Sequence, residues 1–257
     1  MSDVTIDLGG KVALVTGGGY GMGRASAKRF AACGARVVVA DIDVDRGRET
    51  VEQIAEAGGE ASFVEADVSV PAAVQEMVAF TIRTYGGLDC AHNNAGIIGP
   101  QHSVVDYPLD LWDEVIRTNL TGVYLCLKHE IPAMLARGGG AIVNVASETT
   151  YKGNVGDVAY TASKHGVVGL TTVVGLHYAR RGIRVNAVAP GNVETGIIEA
   201  AREFLTPEQQ RRMETIQPLG RLAQPEEIAE VVVWLCSDAA LLVNAAKIAA
   251  DTGWHVS

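Results

Sequence analysis

Long apolar runs are missing from this sequence, and none reaches the ~18–20 residues that a bilayer-spanning helix needs. The N-terminus also lacks a basic region followed by an apolar stretch, so we predict neither a signal peptide nor a membrane partner. Cysteines are few and scattered, without a Cys-x-x-Cys pair, at Cys33, Cys90, Cys126 and Cys236. This cysteine usage indicates buried, reduced thiols and predicts a cytoplasmic protein.

Basic charge is scarce as well. The chain has 21 Lys and Arg against 30 Asp and Glu, a net charge of −9, which disfavours nucleic acid as a partner. The six histidines show no metal-ligand spacing, so no metal site is predicted. Internal repeats and low-complexity linkers are absent too. A length of 257 residues therefore predicts one α/β domain over residues 1–257.

Apolar runs and long periodic segments alternate along the whole chain. The runs lie near residues 12–16, 36–40, 61–64, 88–91, 141–146, 183–189 and 247–250. Such alternation predicts right-handed βαβ units and a parallel sheet covered by helices on both faces. Residues 192–218 interrupt the alternation, and we predict a substrate lid there, with apolar surface from Ile197, Ile198, Phe204 and Leu205.

A glycine-rich loop joins the first strand to the first helix. Residues 17–23 read Gly-Gly-Gly-Tyr-Gly-Met-Gly, which is five glycines in seven positions. A strand, a glycine loop and a helix in this order present backbone N–H groups to a pyrophosphate. The alternative is a plain strand-to-helix turn, but one or two glycines would suffice for that. The loop therefore favours nucleotide binding.

Asp41 ends the second apolar run, about twenty residues past the glycine loop. A carboxylate there can accept hydrogen bonds from both ribose hydroxyls of adenosine, and it would repel a 2′-phosphate. The residue therefore favours NAD over NADP. A second interpretation is that Asp41 is the N-cap of a helix that begins near Asp43, and the two roles are compatible.

Tyr160 and Lys164 lie four residues apart, which places them on one face of a helix. A free phenol has a pKa near ~10, and a nearby cation lowers it, so Tyr160 could transfer a proton at a substrate hydroxyl. An isolated pair of this kind is weak evidence, because such pairs occur by chance on solvated helices.

Together these motifs resemble the classical short-chain dehydrogenase/reductase family, and the resemblance runs from about residue 8 to residue 254. Residues 16–23 match the family's Thr-Gly-x-x-x-Gly-x-Gly loop, and residues 93–96 match its Asn-Asn-Ala-Gly motif. Ser147 stands thirteen residues before Tyr160, which is the family spacing. Further matches are Asp67 and Val68 at the adenine, and Pro190, Gly191 and Thr195 at the nicotinamide.

The resemblance implies a doubly wound parallel sheet of the Rossmann type and an NAD-dependent oxidoreductase that interconverts a secondary alcohol and a ketone. Tyr160 would be the general acid or base, Lys164 would bind the nicotinamide ribose, and Ser147 would hold the substrate oxygen. Asn119 would hold a water that links Lys164 to solvent. The implied NAD-binding residues are Gly17, Gly21, Met22, Gly23, Asp41, Ile42, Asp67, Val68, Asn94, Ala95, Gly96, Tyr160, Lys164, Pro190, Gly191, Val193 and Thr195.

Alternatives stay open for the function and for single residues. A regulatory module that binds NAD with little turnover would use the same fold, although such modules usually have a broken Tyr–Lys pair or glycine loop, and both are intact here. Ser147 is otherwise a loop cap, and Asn119 a mid-helix residue bonded to its own backbone. Glu148 and Asp157 flank the site in sequence, and solvated loop carboxylates are the commoner outcome for such residues.

The family resemblance also implies an assembly and a substrate. Helices around residues 109–136 and 158–180 would form a four-helix interface in a homotetramer, with a homodimer as second choice. The predicted substrate is a neutral or weakly polar secondary alcohol or its ketone. The C-terminal region departs from the family, which commonly has Thr-Gly and then Asp-Gly-Gly. This chain has Asn244-Ala245 and Asp251-Thr252-Gly253, so either the backbone differs there or glycine was not required.

Overall fold

A computed structural model describes residues 6–196, 206–208, 211, 215 and 217–257. Seven strands form one sheet in which every neighbouring pair is parallel. The strands are β1 (Val12–Thr16), β2 (Arg36–Asp41), β3 (Glu60–Glu65), β4 (Cys90–Asn93), β5 (Gly140–Val145), β6 (Ile183–Pro190) and β7 (Lys247–Ala250). Their order across the sheet is β3-β2-β1-β4-β5-β6-β7. The predicted doubly wound α/β fold is therefore confirmed.

Helices connect the strands and cover the sheet on both faces. In the described residues these helices are α1 (Gly21–Ala32), α2 (Val44–Glu56), α3 (Pro71–Tyr85), α4 (Leu109–Ile116), α5 (Gly122–Ala136), α6 (Thr149–Lys152), α7 (Val158–Tyr178) and α8 (Pro225–Cys236). A short π-helical segment, Arg117–Thr121, joins α4 to α5 without a break in the chain direction. Such single π-turns inside longer helices are frequent at functional sites.

The core forms two apolar layers, because successive side chains of a strand point to opposite faces of the sheet. On one face Ala13 and Val15 pack with Phe30 of α1 and with α8. On the other face Val12 and Leu14 pack with α3, α5 and α7. All five residues of β1 are buried, which explains why the central strands read as continuous apolar runs rather than as alternating patterns.

The strand order reverses at β1, whose neighbours are β2 on one side and β4 on the other. The loops that leave β1 and β4 therefore diverge and open a crevice at the carboxyl edge of the sheet. In the register of this pair Thr16 lies opposite Asn93. The glycine loop and residues 94–96 consequently begin side by side, and this is the arrangement that builds the site.

The C-terminal departures from the family keep a backbone that favours glycine. Ala245 has φ 56° and Thr252 has φ 60°, both in the left-handed region. Two explanations were expected for the missing glycines, a different backbone or no need for glycine. The first is wrong at these two positions, since both residues keep a positive φ. The two side chains are accommodated at a cost in backbone strain.

Several other expectations meet the structure here. All four cysteines are free and buried, as predicted. Within the described ranges, no helix is long and apolar enough to cross a membrane, and no group of three or more candidate ligands is placed to hold a metal ion. The predicted lid falls largely outside the described residues, as do Ile197, Ile198, Phe204 and Leu205, so the lid stays a prediction.

Candidate active site

The glycine loop makes close backbone contacts that larger residues would prevent. Gly17 has φ 62°, and a Cβ there would lie 2.8 Å from Asn94 Nδ2 and 3.0 Å from Ala95 Cα. A Cβ on Gly23, in the first turn of α1, would overlap the carbonyl oxygen of Gly17. The loop therefore lies directly against the start of α1 and the chain after β4. Gly21 and Met22, at the amino end of α1, line the same crevice, and the amino end of a helix favours anions.

Asp41 stands at the end of β2 and is bonded to the glycine loop. Its Oδ2 accepts a hydrogen bond from the Gly19 N–H at 2.7 Å, and its Oδ1 accepts one from the Asp43 N–H at 2.9 Å. The N-cap of α2 is Asp43, whose side chain accepts the Arg46 N–H at 3.1 Å. The interpretation of Asp41 as that N-cap is therefore wrong. Each carboxylate oxygen keeps a further lone pair for a ligand hydroxyl.

Asn94 locks the loop after β4 to the loop after β1. Its N–H donates to Thr16 Oγ1 at 3.0 Å, and its side-chain amide donates to the carbonyl oxygens of Thr16 and Gly17 at 3.0 and 3.1 Å. These bonds hold the two walls of the crevice at a fixed separation. Asn94 therefore explains how two segments almost eighty residues apart in sequence form one surface.

The crevice is a cleft of about 550 Å³. The residues predicted to bind NAD that line it are Gly17, Gly21, Met22, Asp41, Ile42, Asp67, Val68, Asn94, Ala95, Gly96 and Thr195. Gly23 lies beneath the loop as a packing residue. Pro190 and Val193 are buried, Pro190 at the end of β6 and Val193 in a bridge to Ala223.

Arg46 and Arg117 also line the cleft, and neither was predicted from the sequence. Arg46 Nε lies 3.4 Å from Asp43 Oδ2, and its guanidinium lies 4.9 Å from the centroid of the Tyr20 ring. Arg46 could have been found from its position five residues after Asp41, at the start of the next helix. A cation at this end of the cleft bears on the choice between NAD and NADP.

Lys164 is 4 % exposed on α7 and donates from Nζ to the carbonyl oxygen of Val145 at 2.8 Å. Nζ lies 5.5 Å from the ring centroid of Tyr160. Burial lowers the pKa of Lys164 to about 8. A Cβ on Gly96, a residue of the cleft wall, would lie 3.6 Å from Nζ. The cleft therefore leads directly to the Tyr–Lys pair.

The expected lowering of the pKa of Tyr160 is not what the protein's own groups produce. Burial raises this pKa to about 12, and the neighbouring Ser147 hydroxyl opposes that rise. The charges of Glu148 and Asp157 raise it further. The ammonium of Lys164 is directed at a backbone carbonyl instead of the phenol, so burial outweighs it.

Ser147 follows β5 and is buried, and its hydroxyl lies close enough to Tyr160 to lower the pKa of the phenol. Its Oγ also accepts the N–H of Thr149 at 3.2 Å, which helps to start α6. The loop-cap interpretation is thus correct as far as it goes, and it is compatible with contact to Tyr160. The two hydroxyls form a pair that can hold one further oxygen.

Asn119 lies in the π-helical segment and is fully buried. Its Nδ2 donates to the Ile97 carbonyl oxygen at 2.7 Å, and its Oδ1 accepts the Ile97 N–H at 2.8 Å. The interpretation in which Asn119 bonds to its own helix is therefore wrong. A Cβ on Gly96 would lie 3.1 Å from Oδ1, so the amide borders the same spot as Lys164 Nζ. The water expected there stays a prediction.

Glu148 and Asp157 are not the solvated carboxylates that the sequence suggested. Asp157 is 3 % exposed, and Glu148 Oε2 is buried. Burial and the neighbouring Asp251 raise the pKa of Glu148 to about 7, while Lys152 opposes the rise. The reason is long-range packing, because residues 251–257 fold back over α6. Lys152 Nζ there donates to the Ser257 carbonyl oxygen at 2.8 Å.

Comparison with known proteins agrees with this geometry. The model of a family described as enoyl-(acyl carrier protein) reductase matches residues 17–255, which is nearly the whole chain. The chain belongs to the classical short-chain dehydrogenase/reductase family. Members of this family bind a nicotinamide cofactor, NAD or NADP.

Named relatives within the family act on ring alcohols. The chain is 41% identical over 241 residues to a cyclohexanol dehydrogenase of Acinetobacter sp. (strain SE19), covering 94% of this chain and 93% of the relative. It is 40% identical to a 2,5-dichloro-2,5-cyclohexadiene-1,4-diol dehydrogenase of Sphingobium indicum, covering 96% and 98%. The crystal structure of levodione reductase superposes with a TM-score of 0.92 at 37% identity, covering 97% and 99%. This member of the family is therefore an oxidoreductase that acts on CH–OH groups.

Proposed function

We propose that this protein interconverts a cyclic secondary alcohol and its ketone with NAD, and that Tyr160 transfers the hydroxyl proton. The observation that carries the proposal is the position of Gly96, which lines the cofactor cleft and also borders Lys164 and Asn119. The cleft and the proton-transfer residues therefore form one continuous site. The names of the relatives support a ring alcohol as the substrate.

The residues present fit a dinucleotide. The glycine loop leaves room for close backbone approach, and Asp41 offers carboxylate lone pairs for ribose hydroxyls. Asp67, Val68 and the chain after β4 line the remainder of the cleft. Bound there, NAD supplies the hydride acceptor, and the protein's task is to hold the alcohol carbon against it.

The chain's own residues then hold the substrate and move its proton. The Ser147 hydroxyl lies close enough to Tyr160 to lower its pKa, and a substrate oxygen can bond to both hydroxyls. Tyr160 removes the proton during oxidation and returns it during reduction. With the pKa of Lys164 near 8, its ammonium can lose a proton near neutral pH and serve as an outlet beside Asn119. We therefore expect the rate of alcohol oxidation to rise with pH.

The preference for NAD rests on Asp41 against Arg46. A 2′-phosphate would meet the Asp41 carboxylate at the end of β2 and be repelled, whereas Arg46 would attract it. Arg46 is already engaged by Asp43 and the Tyr20 ring, which weakens the attraction. We expect a preference of at least tenfold in kcat/KM, which requires only about 1.4 kcal/mol. Comparable efficiency with NADP would contradict this part of the proposal.

The proposed assembly is a homotetramer, with a homodimer as second choice. Val173 and Leu176 on α7 are 59% and 68% exposed, and Tyr124 on α5 is 48% exposed. These large apolar side chains lie on the two helices that the family resemblance assigns to the subunit interface. Light scattering should give a mass of four chains at micromolar concentration, and a monomer would contradict the proposal.

We also retain the prediction that the protein is cytoplasmic.

The test of the proposed function uses cyclohexanol and NAD with three proteins. The wild type should form NADH, followed by absorbance. Tyr160→Phe should lower kcat by about 10²–10⁴, the usual worth of general acid–base catalysis. NADH affinity, measured by fluorescence, should be retained, because the phenol is not needed to hold the pyrophosphate. The matched control is Tyr85→Phe, which removes a phenol of α3 that bonds to Ser62 away from the site and should change neither quantity.

Two outcomes count against the proposal at different levels. Near-normal turnover by Tyr160→Phe would show that another group transfers the proton. A wild-type protein that binds NADH but reduces no NAD with any secondary alcohol of a broad panel would refute the proposed activity itself.

A further inference from the structure

Three side chains near Tyr160 carry oxygen atoms that are buried and have no hydrogen-bond partner among the described residues. They are Glu148 Oε2, Asp157 Oδ1 and Gln217 Oε1, which we call the acceptor cluster. Asp157 is 3 % exposed and Gln217 is 2 % exposed. Buried polar atoms are almost always paired, so three unpaired acceptors in one region indicate a missing donor.

Glu148 connects the cluster to the reacting groups. It directly follows Ser147 in the chain, and its charge acts on the Tyr160 hydroxyl. Asp157, the N-cap of α7, also raises the pKa of Tyr160 by its charge. Two carboxyl groups of the cluster therefore act on the phenol.

Gln217 meets Glu148 above Gly191, at the end of β6. The point where a Cβ of Gly191 would stand lies 3.0 Å from Glu148 Oε2, and Gln217 Nε2 is closer still. The Gln217 amide nitrogen donates to the Asn192 carbonyl oxygen at 3.2 Å, which leaves the amide oxygen as the unpaired atom. Glycine at 191 thus makes the space in which the two side chains come together.

The ammonium groups around the cluster are already engaged. Lys152 Nζ donates to the carbonyl oxygens of Trp254 and Ser257, and Lys164 Nζ donates to Val145. The neighbouring Asp251 carboxylate is filled by the N–H groups of Gly253 and His255 and by the His255 ring. The buried hydroxyls of Thr149 and Thr161 are also unpaired, but neither bonds to the cluster. The ligand that fits the cluster therefore brings hydrogen-bond donors without negative charge.

We propose that the acceptor cluster is a subsite for a second hydroxyl group of the substrate, so that the protein prefers diols and polyols to simple ring alcohols and rejects anionic ones. The inference rests on the proposed function, in which Ser147 and Tyr160 hold the reacting hydroxyl. The second hydroxyl donates to Glu148, the member of the cluster next to Ser147. A carboxylate on the ring would instead face Glu148 and Asp157 and be repelled.

The test measures binding rather than turnover. The protein is saturated with NADH, which cannot accept a hydride from an alcohol. Ring alcohols are then titrated by calorimetry. The probes are cyclohexanol, the cyclohexane-1,2-, 1,3- and 1,4-diols, 2-methoxycyclohexanol and 4-hydroxycyclohexanecarboxylate. The best diol should bind about tenfold more tightly than cyclohexanol, as expected for one added hydrogen bond to a buried acceptor. The methoxy compound, which has lost the donor, should bind no better than cyclohexanol, and the carboxylate should bind more weakly.

Variants assign the effect to Glu148. Glu148→Leu should bring the affinities for diol and cyclohexanol to within about twofold of each other, since the acceptor is lost. Glu148→Gln should keep part of the difference, because its amide oxygen still accepts a hydrogen bond. Glu76→Leu, a change at an exposed glutamate on α3, is the matched control and should keep the full ratio. NADH affinity reports whether each variant is folded.

Equal wild-type affinities for diols and cyclohexanol would overturn the inference, as would a methoxy compound that binds as tightly as the diol. These two measurements need no variant and decide the question even if Glu148→Leu does not fold. A diol preference that persists in a folded Glu148→Leu protein would also refute the assignment. Tight diol binding without any NAD reduction would instead contradict the proposed function and leave the subsite standing.

Discussion

Replacing Thr252 by glycine should stabilise this protein. Thr252 has φ 60°, a conformation that costs an L-residue roughly 1–2 kcal/mol and is most unfavourable for a β-branched side chain. Its side chain is exposed, so little burial is lost when it is removed. Glycine adopts this φ without strain.

The gain is partly offset in the unfolded chain, because glycine loses about 0.5–1 kcal/mol more conformational entropy on folding. The net stabilisation expected for Thr252→Gly is therefore about 1 kcal/mol. For a domain of this size that corresponds to a rise in Tm of roughly 2–4 °C. Ala245→Gly, at φ 56°, should give a smaller rise because alanine has no branch at Cβ.

The assay is thermal unfolding by calorimetry at one fixed protein concentration, because subunit association also shifts Tm. The matched control is Gly253→Ala. Gly253 has φ 91°, and a Cβ there would meet no atom within 4 Å, so the variant adds backbone strain alone and should lower Tm. A Thr252→Gly protein that melts at or below the wild-type temperature, while Gly253→Ala melts lower as expected, would refute the strain argument.

Three further predictions concern charge and the C-terminal segment. Burial raises the pKa of Glu130 to about 7 from 4.5, so the folded state binds this proton more tightly than the unfolded state and loses stability as pH rises between those values. Glu130→Gln should therefore raise Tm more at about pH 8 than at about pH 5. Equal gains in Tm at the two pH values would contradict this. Lys152→Met removes the hydrogen bonds to the Trp254 and Ser257 carbonyl oxygens, so proteolysis of the C-terminus should quicken and KM for the alcohol should rise. Lys152→Arg should restore both quantities. An unchanged cleavage rate in Lys152→Met would refute this role of Lys152. Asp41→Ala should narrow the ratio of kcat/KM between NAD and NADP, and an unchanged ratio would show that Asp41 does not set it.

The strands and the cleft beside the glycine loop were predictable because their signals are local. An apolar run such as β1 identifies a strand buried on both faces, and the glycines after it identify a close backbone approach. Asp41 was placed correctly at the end of β2, although its competing role as a helix cap belongs to Asp43. Arg46 was missed because nothing in its neighbours distinguishes it from other surface arginines on a helix.

The electrostatics of the site were predicted less well. The spacing of Tyr160 and Lys164 correctly puts both residues on one helix face, but it does not reveal that Lys164 Nζ bonds to Val145. Nor does it give the burial that raises the pKa of Tyr160 to about 12. A pKa depends on the groups that surround the side chain from every direction, and only one of those directions is the helix itself.

By itself, the sequence determined the fold class, the glycine cradle and the pairing of Tyr160 with Lys164, because each of these follows from the geometry of a single strand, turn or helix. The tertiary structure alone decided that Glu148 and Asp157 are buried and that Asn119 clamps Ile97. Glu148 is covered because residues 251–257 return to α6 across about a hundred residues of chain. Contacts over that separation depend on how whole layers pack together, and no local spacing in the sequence encodes them.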